Sequence, residues 1–414
     1  MKIVEVLTEP VRTGFFADDQ AAIRAGAAHD GFGYDGTPLT PGFAAIRQAG
    51  EALSVLLLLD DGSVAHGDCA AVQYSGAGGR DPVFSAESAR RDIGDHLTPL
   101  LVGAELTSFR DLADRVDDHP LHSAIRYGVT QAVLDAVAKS QRLTMAEVVR
   151  DEYATGADLR PVPIFAQCGE DRYTGVDKMI LKRVDALPHG LINQVGPLVG
   201  RQGELFEDYV CWLVGRIAEL RTDSAYVPRL YFDTYGTIGQ IFDGDVDAVA
   251  AYLARLAEIA APHELVIEHP IDAGSRDAQV ATYVRLRTAL KQLGSPVKIA
   301  VDEWCNTLED IELFVDHDAA DVIHVKTPDL GGITNTAEAL LLVRDRGLFA
   351  YCGGTCNETE RSAQVTAHLA MACAAGQILA KPGMGVDEGL MIVGNEMTRV
   401  AAITAARPFM AVSP

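Results

Sequence analysis

The sequence has few positive charges and no long apolar run, and both absences exclude classes of partner. Its 414 residues include 35 Lys and Arg against 58 Asp and Glu, which gives a formal net charge of −23. Non-specific nucleic-acid binders and proteins that dock on anionic membranes depend on Lys and Arg, so we expect neither class. No apolar run is long enough to span a bilayer. The opening segment MKIVEVLTEP lacks the apolar core of a signal peptide.

Cysteine and lysine are also sparse. The seven Cys are an odd number without a pairing framework, which predicts free thiols in a reducing, cytoplasmic compartment. The chain contains only eight Lys. A Lys that lies among acidic residues is therefore a candidate for a catalytic role. With 48% hydrophobic residues the chain is too apolar for disorder, and its length predicts more than one ordinary core.

The chain divides into two parts with different periodicity. Residues 1–160 contain the predicted strand KIVEVLT, a predicted hairpin around Asp61 and Gly62, and the long amphipathic helix HSAIRYGVTQAVLDAVAKSQ, which together indicate an α+β domain. In residues 161–414, short apolar strands alternate with amphipathic helices. The eight predicted strands are VPIFAQ, LINQV, RLYFDTY, LVIEHP, VKIAVDE, DVIHVKTP, GLFAYCGG and GQILAKP.

This alternation predicts an α/β fold, a (β/α)₈ TIM-like barrel with an N-terminal α+β capping domain. Eight β-α units in the second part match the usual barrel size of about 250 residues. A doubly wound sheet is the alternative, although no GxGxxG motif follows the first strand of that part. The small-residue segment AVQYSGAGGRDP lacks the Gly-Lys-Ser/Thr ending of a phosphate-binding loop, and we expect it to form a lid over the barrel mouth.

Three successive predicted strands end in acidic residues. Asp233, Glu268 and Asp302 end the third, fourth and fifth strands and lie 35 and 34 residues apart. In a barrel these ends meet at the active-site mouth, where three carboxylates repel each other unless a hard cation lies between them. Oxygen ligands indicate Mg²⁺, or Mn²⁺, rather than Zn²⁺. The alternative is that each acid caps the helix that follows it.

Basic and polar side chains end other strands. Lys326 ends the sixth strand, and a nearby divalent cation would lower its pKa so that the amine becomes a general base. His324 faces the same side of that strand, and His189 lies at the second strand, across the barrel. Thr355 and Cys356 offer N–H groups to a carboxylate. Cys356 is also a candidate nucleophile, but it lacks an obvious partner base.

Long segments of the sequence resemble one enzyme family. They are HGDCAAVQYSGAGGRDP, AIRYGVTQAVLDAVAK, DTYGTIG, DEWCNT, KTPDLGG, GGTCNET and KPGMGVDEG, and they span nearly the whole chain. With the added domain and the strand-end carboxylates, the chain resembles the enolase superfamily and, more closely, the methylaspartate ammonia-lyase family. The resemblance implies a lyase that reversibly eliminates ammonia from L-threo-3-methylaspartate to give mesaconate, by C3 proton abstraction and a metal-stabilised enolate.

The resemblance also implies roles for individual residues. Asp233, Glu268 and Asp302 would hold Mg²⁺. Lys326 would remove the C3 proton of the natural diastereomer, and His189 would act on the opposite face. Positions that match substrate contacts are Gln73, Gln167, His324, Thr355, Cys356 and Leu379. Members of the family use a monovalent cation such as K⁺ and are typically homodimers, and the reaction belongs to amino-acid degradation, namely glutamate catabolism.

Two positions depart from the family pattern. His324 stands where the family has Gln, and we expect its ring to contact a substrate carboxylate or amide-like group and, when charged, to lower the pKa of Lys326. His269 stands where the family has Gly, and we expect it on the barrel rim. Two other functions stay open: a different enolase-superfamily lyase or isomerase, such as a cycloisomerase or an acid-sugar dehydratase, and a non-catalytic dicarboxylate binder. A binder would not need the base Lys326.

Overall fold

The computed structural model describes residues 1–410, and its N-terminal part is built on a three-stranded antiparallel sheet. Side chains of the middle strand alternate between buried and half-buried positions, so Leu53, Val55 and Leu57 face the core. Together with a two-stranded ribbon, the strands of this part are β1 (Ile3–Asp18), β2 (His29–Asp30), β3 (Gly33–Tyr34), β4 (Arg47–Leu59) and β5 (Val64–Ala70).

The long helix of the N-terminal part packs tightly against β5. A Cβ added at Gly128 would lie 2.3 Å from the backbone nitrogen of Cys69, so only glycine permits this approach. The predicted hairpin and helix of this part are confirmed. Its helices are α1 (Gln20–Arg24), α2 (Ala86–Asp92), a π-helical turn (Ile93–Leu97), α3 (Thr98–Leu101), α4 (Phe109–Asp117), α5 (Ser123–Gln141) and α6 (Met145–Glu152).

The second part is a closed barrel of eight strands, and every neighbouring pair is parallel. This confirms the predicted fold class. The predicted domain boundary at residue 160 lies in coil between α6 and the first barrel strand. The barrel strands are β6 (Ile164–Phe165), β7 (Ala186–Leu191), β8 (Arg229–Asp233), β9 (Leu265–Glu268), β10 (Lys298–Val301), β11 (Val322–Val325), β12 (Phe349–Cys352) and β13 (Gln377–Leu379).

Helices surround the barrel and follow every strand. None of the helices among residues 1–410 has the length and apolar character needed to cross a membrane. The surrounding helices are α7 (Thr174–Leu181), a π-helical turn (Val195–Val199), α8 (Glu204–Leu220), α9 (Thr237–Ile241), α10 (Val246–Ala260), α11 (Arg276–Gln292), α12 (Leu308–Asp316), α13 (Ile333–Asp345), α14 (Glu360–Ala372) and α15 (Asp387–Met410).

One side chain from each barrel strand fills the interior. This buried layer is Phe165, Ala186, Tyr231, Val266, Ala300, Val322, Tyr351 and Leu379. Because the layer closes the barrel to solvent, groups that contact a ligand must belong to its upper surface or lie above it, at the C-terminal ends of the strands.

The predicted position of the second barrel strand is wrong. Of the segment LINQV, Leu191 alone belongs to β7, which begins at Ala186. Pro188 and Gly190 are residues that normally weaken a strand, so the pattern excluded them. The barrel accommodates them through a register irregularity between His189 and Leu191.

Candidate active site

A pocket of about 450 Å³, partly open to solvent, lies at the C-terminal mouth of the barrel. Every side chain predicted for the site lines it except Glu268, which is fully buried. The predicted residues that line the pocket are Gln73, Gln167, His189, Asp233, Asp302, His324, Lys326, Thr355, Cys356 and Leu379.

Strand register brings the acidic residues together. Asp233 of β8 pairs with Glu268 of β9, and Asp302 follows the end of β10. Among the described residues, one group with metal-ligand spacing contains Glu268, Asp302 and His324, whose ligand atoms lie within 4.8 Å of one another. The group contains His324, whereas Asp233, the third predicted ligand, is not a member of it.

The electrostatics of these carboxylates fit a cation. Burial, reinforced by Glu268, Glu303 and Asp302, raises the pKa of Asp233 well above its ordinary value. The Oε2 atom of Glu268 is buried without a hydrogen-bond partner. A buried carboxylate oxygen without a partner is unfavourable unless a cation or donor meets it. The residues present therefore fit a hard divalent cation.

Lys326 is paired with one of these acids. Its Nζ lies 2.5 Å from Oδ2 of Asp302, and its side chain is 12% exposed. Burial and the charge of Arg80 lower the pKa of Lys326, but Asp302 and other nearby acids outweigh them, and the pKa lies above its ordinary value. The lowered pKa expected beside a divalent cation concerns the loaded site and stays a prediction.

His189 lies opposite Lys326. In the eight-stranded ring, β7 and β11 are four strands apart, which is the largest separation available. Burial lowers the pKa of His189 to about 4, so its ring is neutral near pH 7. Its Nε2 lies 3.7 Å from Oδ2 of Asp233, and its Nδ1 is buried without a partner. The pocket thus has a neutral imidazole and an amine on opposite walls.

His324 packs against the strand that follows its own. Its ring stacks on Tyr351 at 4.2 Å, and a Cβ at Gly353 would lie 1.9 Å from its Nε2, which explains the glycine. The N–H of Gly354 donates to Nε2 at 3.3 Å, and Nδ1 lies 3.0 Å from Oε1 of Glu268. With Nε2 accepting from Gly354, a ring proton lies on Nδ1 and faces Glu268.

The prediction that His269 lies on the rim is wrong. Its side chain is 1% exposed. Its Nδ1 lies 3.2 Å from Oε2 of Glu303 and 3.4 Å from the hydroxyl of Tyr283. The backbone at φ 48° is left-handed, which a sequence pattern does not reveal, and the ring lies between these two partners.

The segment of residues 71–82 lies over the pocket and contacts the loop after β12. Oγ1 of Thr355 accepts from the backbone N–H of Gln73 at 3.1 Å, and Sγ of Cys356 donates to Oε1 of Gln73 at the same distance. Burial raises the pKa of the Cys356 thiol, which argues against a thiolate nucleophile. Two residues beyond the end of β6, Nε2 of Gln167 donates to the carbonyl of Gly383 at 3.0 Å.

Two arrangements were not predicted from the sequence. Arg80, in the segment over the pocket, donates to Asp302 at 3.0 Å and to Asp329 at 2.8 Å, and its side chain is 1% exposed. Glu358 and Lys381 form an ion pair at 2.8 Å in which both side chains are fully buried. Two sequence signals could have indicated these arrangements. One is an Arg within a segment of small residues, and the other is a Lys in a chain that has few of them.

Comparison with known proteins identifies the family. Residues 1–154 match the N-terminal model of methylaspartate ammonia-lyase and residues 157–406 match the C-terminal model. The chain is 54% identical over 412 residues to methylaspartate ammonia-lyase of Clostridium tetanomorphum, covering 98% of this chain and all of that protein. The Mg-complex structure of β-methylaspartase from that organism has a TM-score of 0.92, at 54% identity over 98% of this chain and 100% of that one.

One further structure agrees with this relationship, and another shares the fold alone. Citrobacter amalonaticus methylaspartate ammonia-lyase containing (2S,3S)-3-methylaspartic acid has a TM-score of 0.95 and 49% identity, and the match covers 98% of this chain and 100% of that one. A muconate lactonizing enzyme from Pseudomonas fluorescens, at 18% identity, shares only the fold, with a TM-score of 0.61 over 89% of this chain and 84% of that one. The chain belongs to the methylaspartate ammonia-lyase family.

Proposed function

We propose that this chain reversibly eliminates ammonia from L-threo-3-methylaspartate to give mesaconate. The observation that carries the proposal is the pair of proton-accepting groups, Lys326 and His189, on opposite walls of a pocket beside buried carboxylates. The Citrobacter relative contains (2S,3S)-3-methylaspartic acid in its structure, and the clostridial relative is described as a magnesium complex.

We assign Asp233, Glu268 and Asp302 to Mg²⁺. Their crowding, together with the unpartnered oxygen of Glu268, supports a cation at this position. When bound, the cation would neutralise negative charge on the substrate carboxylate as a Lewis acid. Mn²⁺ is the alternative, because carboxylate oxygens suit Mn²⁺ as well as Mg²⁺.

Lys326 is the proposed base for the L-threo diastereomer. Its neutral Nζ takes the proton from C3, the electron pair of that C–H bond becomes the C2=C3 double bond, and the C2–N bond breaks to release ammonia. Burial and Arg80 favour the neutral amine but are outweighed by Asp302 and other nearby acids, so we propose the neutral form for the site with its cation bound, where the added positive charge would lower the pKa of Lys326. His189, which is neutral at pH 7, accepts a proton from the opposite face of the substrate.

The remaining residues of the pocket bind and orient the substrate. We propose that polar groups of the overlying segment and of the loop after β12 contact its carboxylate and amino groups, and that Leu379 forms the wall beside its methyl group. His324 is proposed to contact a carboxylate. These assigned substrate contacts are Gln73, Gln167, His324, Thr355 and Cys356, all of which line the pocket.

The test is an ammonia-release assay on purified protein. The substrates are aspartate, both 3-methylaspartate diastereomers and 3-ethylaspartate, each with Mg²⁺ or with a chelator. We expect Mg²⁺-dependent release from L-threo-3-methylaspartate with a rise in ultraviolet absorbance from the conjugated product, and loss of both in Lys326→Ala. Binding of 3-methylaspartate without ammonia release under any cation would favour the binder. Turnover of 3-ethylaspartate alone would indicate that the substrate is a related 3-substituted aspartate. The presence of His324 where the family has Gln would permit such a change of substrate.

Three finer properties are also proposed. K⁺ activates the enzyme, two copies form a homodimer, and the protein acts in the cytoplasm, where its cysteines stay reduced. The seven free thiols support the last point, since six of them are buried and none is paired. Replacing K⁺ by Na⁺ in the assay tests the first, and sedimentation equilibrium tests the second.

A further inference from the structure

Asp18 and Arg47 form a buried ion pair that the proposed reaction does not use. They are partners in the antiparallel register of β1 and β4. Nε and Nη2 of Arg47 donate to the two carboxylate oxygens of Asp18 at 2.9 and 2.7 Å, and the side chains are 3% and 1% exposed. Such a bidentate pair has one defined geometry.

Aromatic rings fix the guanidinium further. Its central carbon lies between 4.7 and 5.9 Å from four ring centroids, and Nη1 donates to the carbonyl of Phe32 at 2.8 Å. Contacts of this kind stabilise a cation that has lost its water. The four rings are those of Phe15, Phe16, Phe32 and Tyr34. Asp18 is therefore held in place on the side away from the pocket.

Asp18 in turn holds Gln73, which lines the pocket. The backbone N–H of Asp18 donates to the carbonyl of Gln73 at 2.9 Å, and Nε2 of Gln73 donates to Oδ2 of Asp18 at 2.8 Å. A carboxylate only accepts hydrogen bonds, so it fixes which end of the Gln73 amide is the NH₂ group. The amide oxygen must then lie on the other side, where the protonated thiol of Cys356 donates to it at 3.1 Å.

We propose that Asp18 and Arg47 are positioning residues that hold the amide of Gln73 with its oxygen toward the pocket. An amide oxygen has two lone pairs, and Cys356 occupies one of them. The other lone pair can accept a hydrogen bond from the amino group of an amino-acid substrate or, in the reverse direction, from ammonia. A carboxylate of the substrate would be repelled there. This inference rests on the proposed function and names the residues that orient Gln73.

The test measures addition of ammonia to mesaconate by Asp18→Asn. The new amide can donate to Oε1 of Gln73, which allows Gln73 to turn its NH₂ group into the pocket. We expect the KM for ammonia to rise between about twofold and tenfold, the loss of one hydrogen bond between neutral groups. The KM for mesaconate should stay unchanged.

A double variant tests rescue. In Asp18→Asn with Gln73→Glu, the amide and the carboxylate exchange places, so a negative charge remains near Arg47 and an acceptor again faces the pocket. It should recover most of the lost affinity for ammonia. Arg47→Lys is the second single variant, because Lys keeps the charge but lacks the bidentate fork, and it should give the same selective rise.

The outcomes separate this inference from the proposed function. A parallel rise in both KM values, a fall in kcat alone, or a double variant no better than Asp18→Asn would overturn the inference while the wild-type enzyme remains active. The kinetics are measured well below each variant's unfolding midpoint, because Asp18→Asn takes a carboxylate away from the buried Arg47 and should lower that midpoint. A wild-type protein that does not add ammonia to mesaconate would overturn the proposed function and this assignment together.

Discussion

Replacing Lys381 with Met removes the positive half of a fully buried ion pair. Nζ of Lys381 donates to Oγ1 of Thr327 at 2.9 Å, to the carbonyl of Gly353 at 2.9 Å and to Glu358 at 2.8 Å. In the variant, Glu358 would keep the hydroxyl of Tyr127 and the N–H of Thr355 as donors. Its charge would stay in the core without a counterion.

The loss of stability is expected to be large. Removing one partner of a buried ion pair destabilises a protein by about 3–5 kcal/mol, because the remaining charge is uncompensated. For a domain of barrel size, each kcal/mol lowers the unfolding midpoint by roughly 2–4 °C, so Lys381→Met should unfold about 6–20 °C earlier. Differential scanning calorimetry measures this shift.

Two controls separate the charge effect from other causes. Lys182→Met breaks an exposed pair with Asp387 and should leave the unfolding midpoint almost unchanged. The double variant with Glu358→Gln removes the uncompensated charge and should be more stable than Lys381→Met alone. A small shift for Lys381→Met, comparable to that for Lys182→Met, would refute the reasoning.

Two further predictions concern the barrel mouth. With metal removed by a chelator, His189 should lower the free energy of unfolding by about 3 kcal/mol as pH falls from about 6.5 to about 4. The reason is that His189 takes up its proton at a higher pH in the unfolded chain than in the folded chain. Denaturant titrations of His189→Gln should lack this contribution, and an identical pH profile would contradict it. Mg²⁺ should raise the unfolding midpoint of the wild type in proportion to the logarithm of its concentration, but not that of Glu268→Gln. Equal shifts in both proteins would exclude Glu268 as a ligand.

The barrel was predictable from the sequence because its strands are short apolar segments separated by amphipathic helices. The pattern fails where β7 begins, since Pro188 and Gly190 are rare inside strands and only the closed ring accommodates them. It also misplaces His269, whose burial depends on the left-handed backbone there and on the partners Glu303 and Tyr283.

The sequence also allowed us to expect the candidate site residues close together, because the strand ends of a barrel lie at one mouth. Three features were not predictable. Arg80, in the N-terminal part, donates to Asp302 in the barrel; Lys381 pairs with Glu358, 23 positions away; and Asp18 accepts from Gln73. Each depends on tertiary contacts between distant segments, and no local spacing or periodicity encodes such contacts.

The central claim is that two bases act from opposite walls of one pocket. Its most direct test is deuterium incorporation at C3 in D₂O, measured by NMR for the L-threo and L-erythro diastereomers of 3-methylaspartate. Lys326→Gln should lose exchange for L-threo and keep it for L-erythro, and His189→Gln should show the reverse. Loss of exchange for both diastereomers in one variant, with the other variant unaffected, would contradict the account.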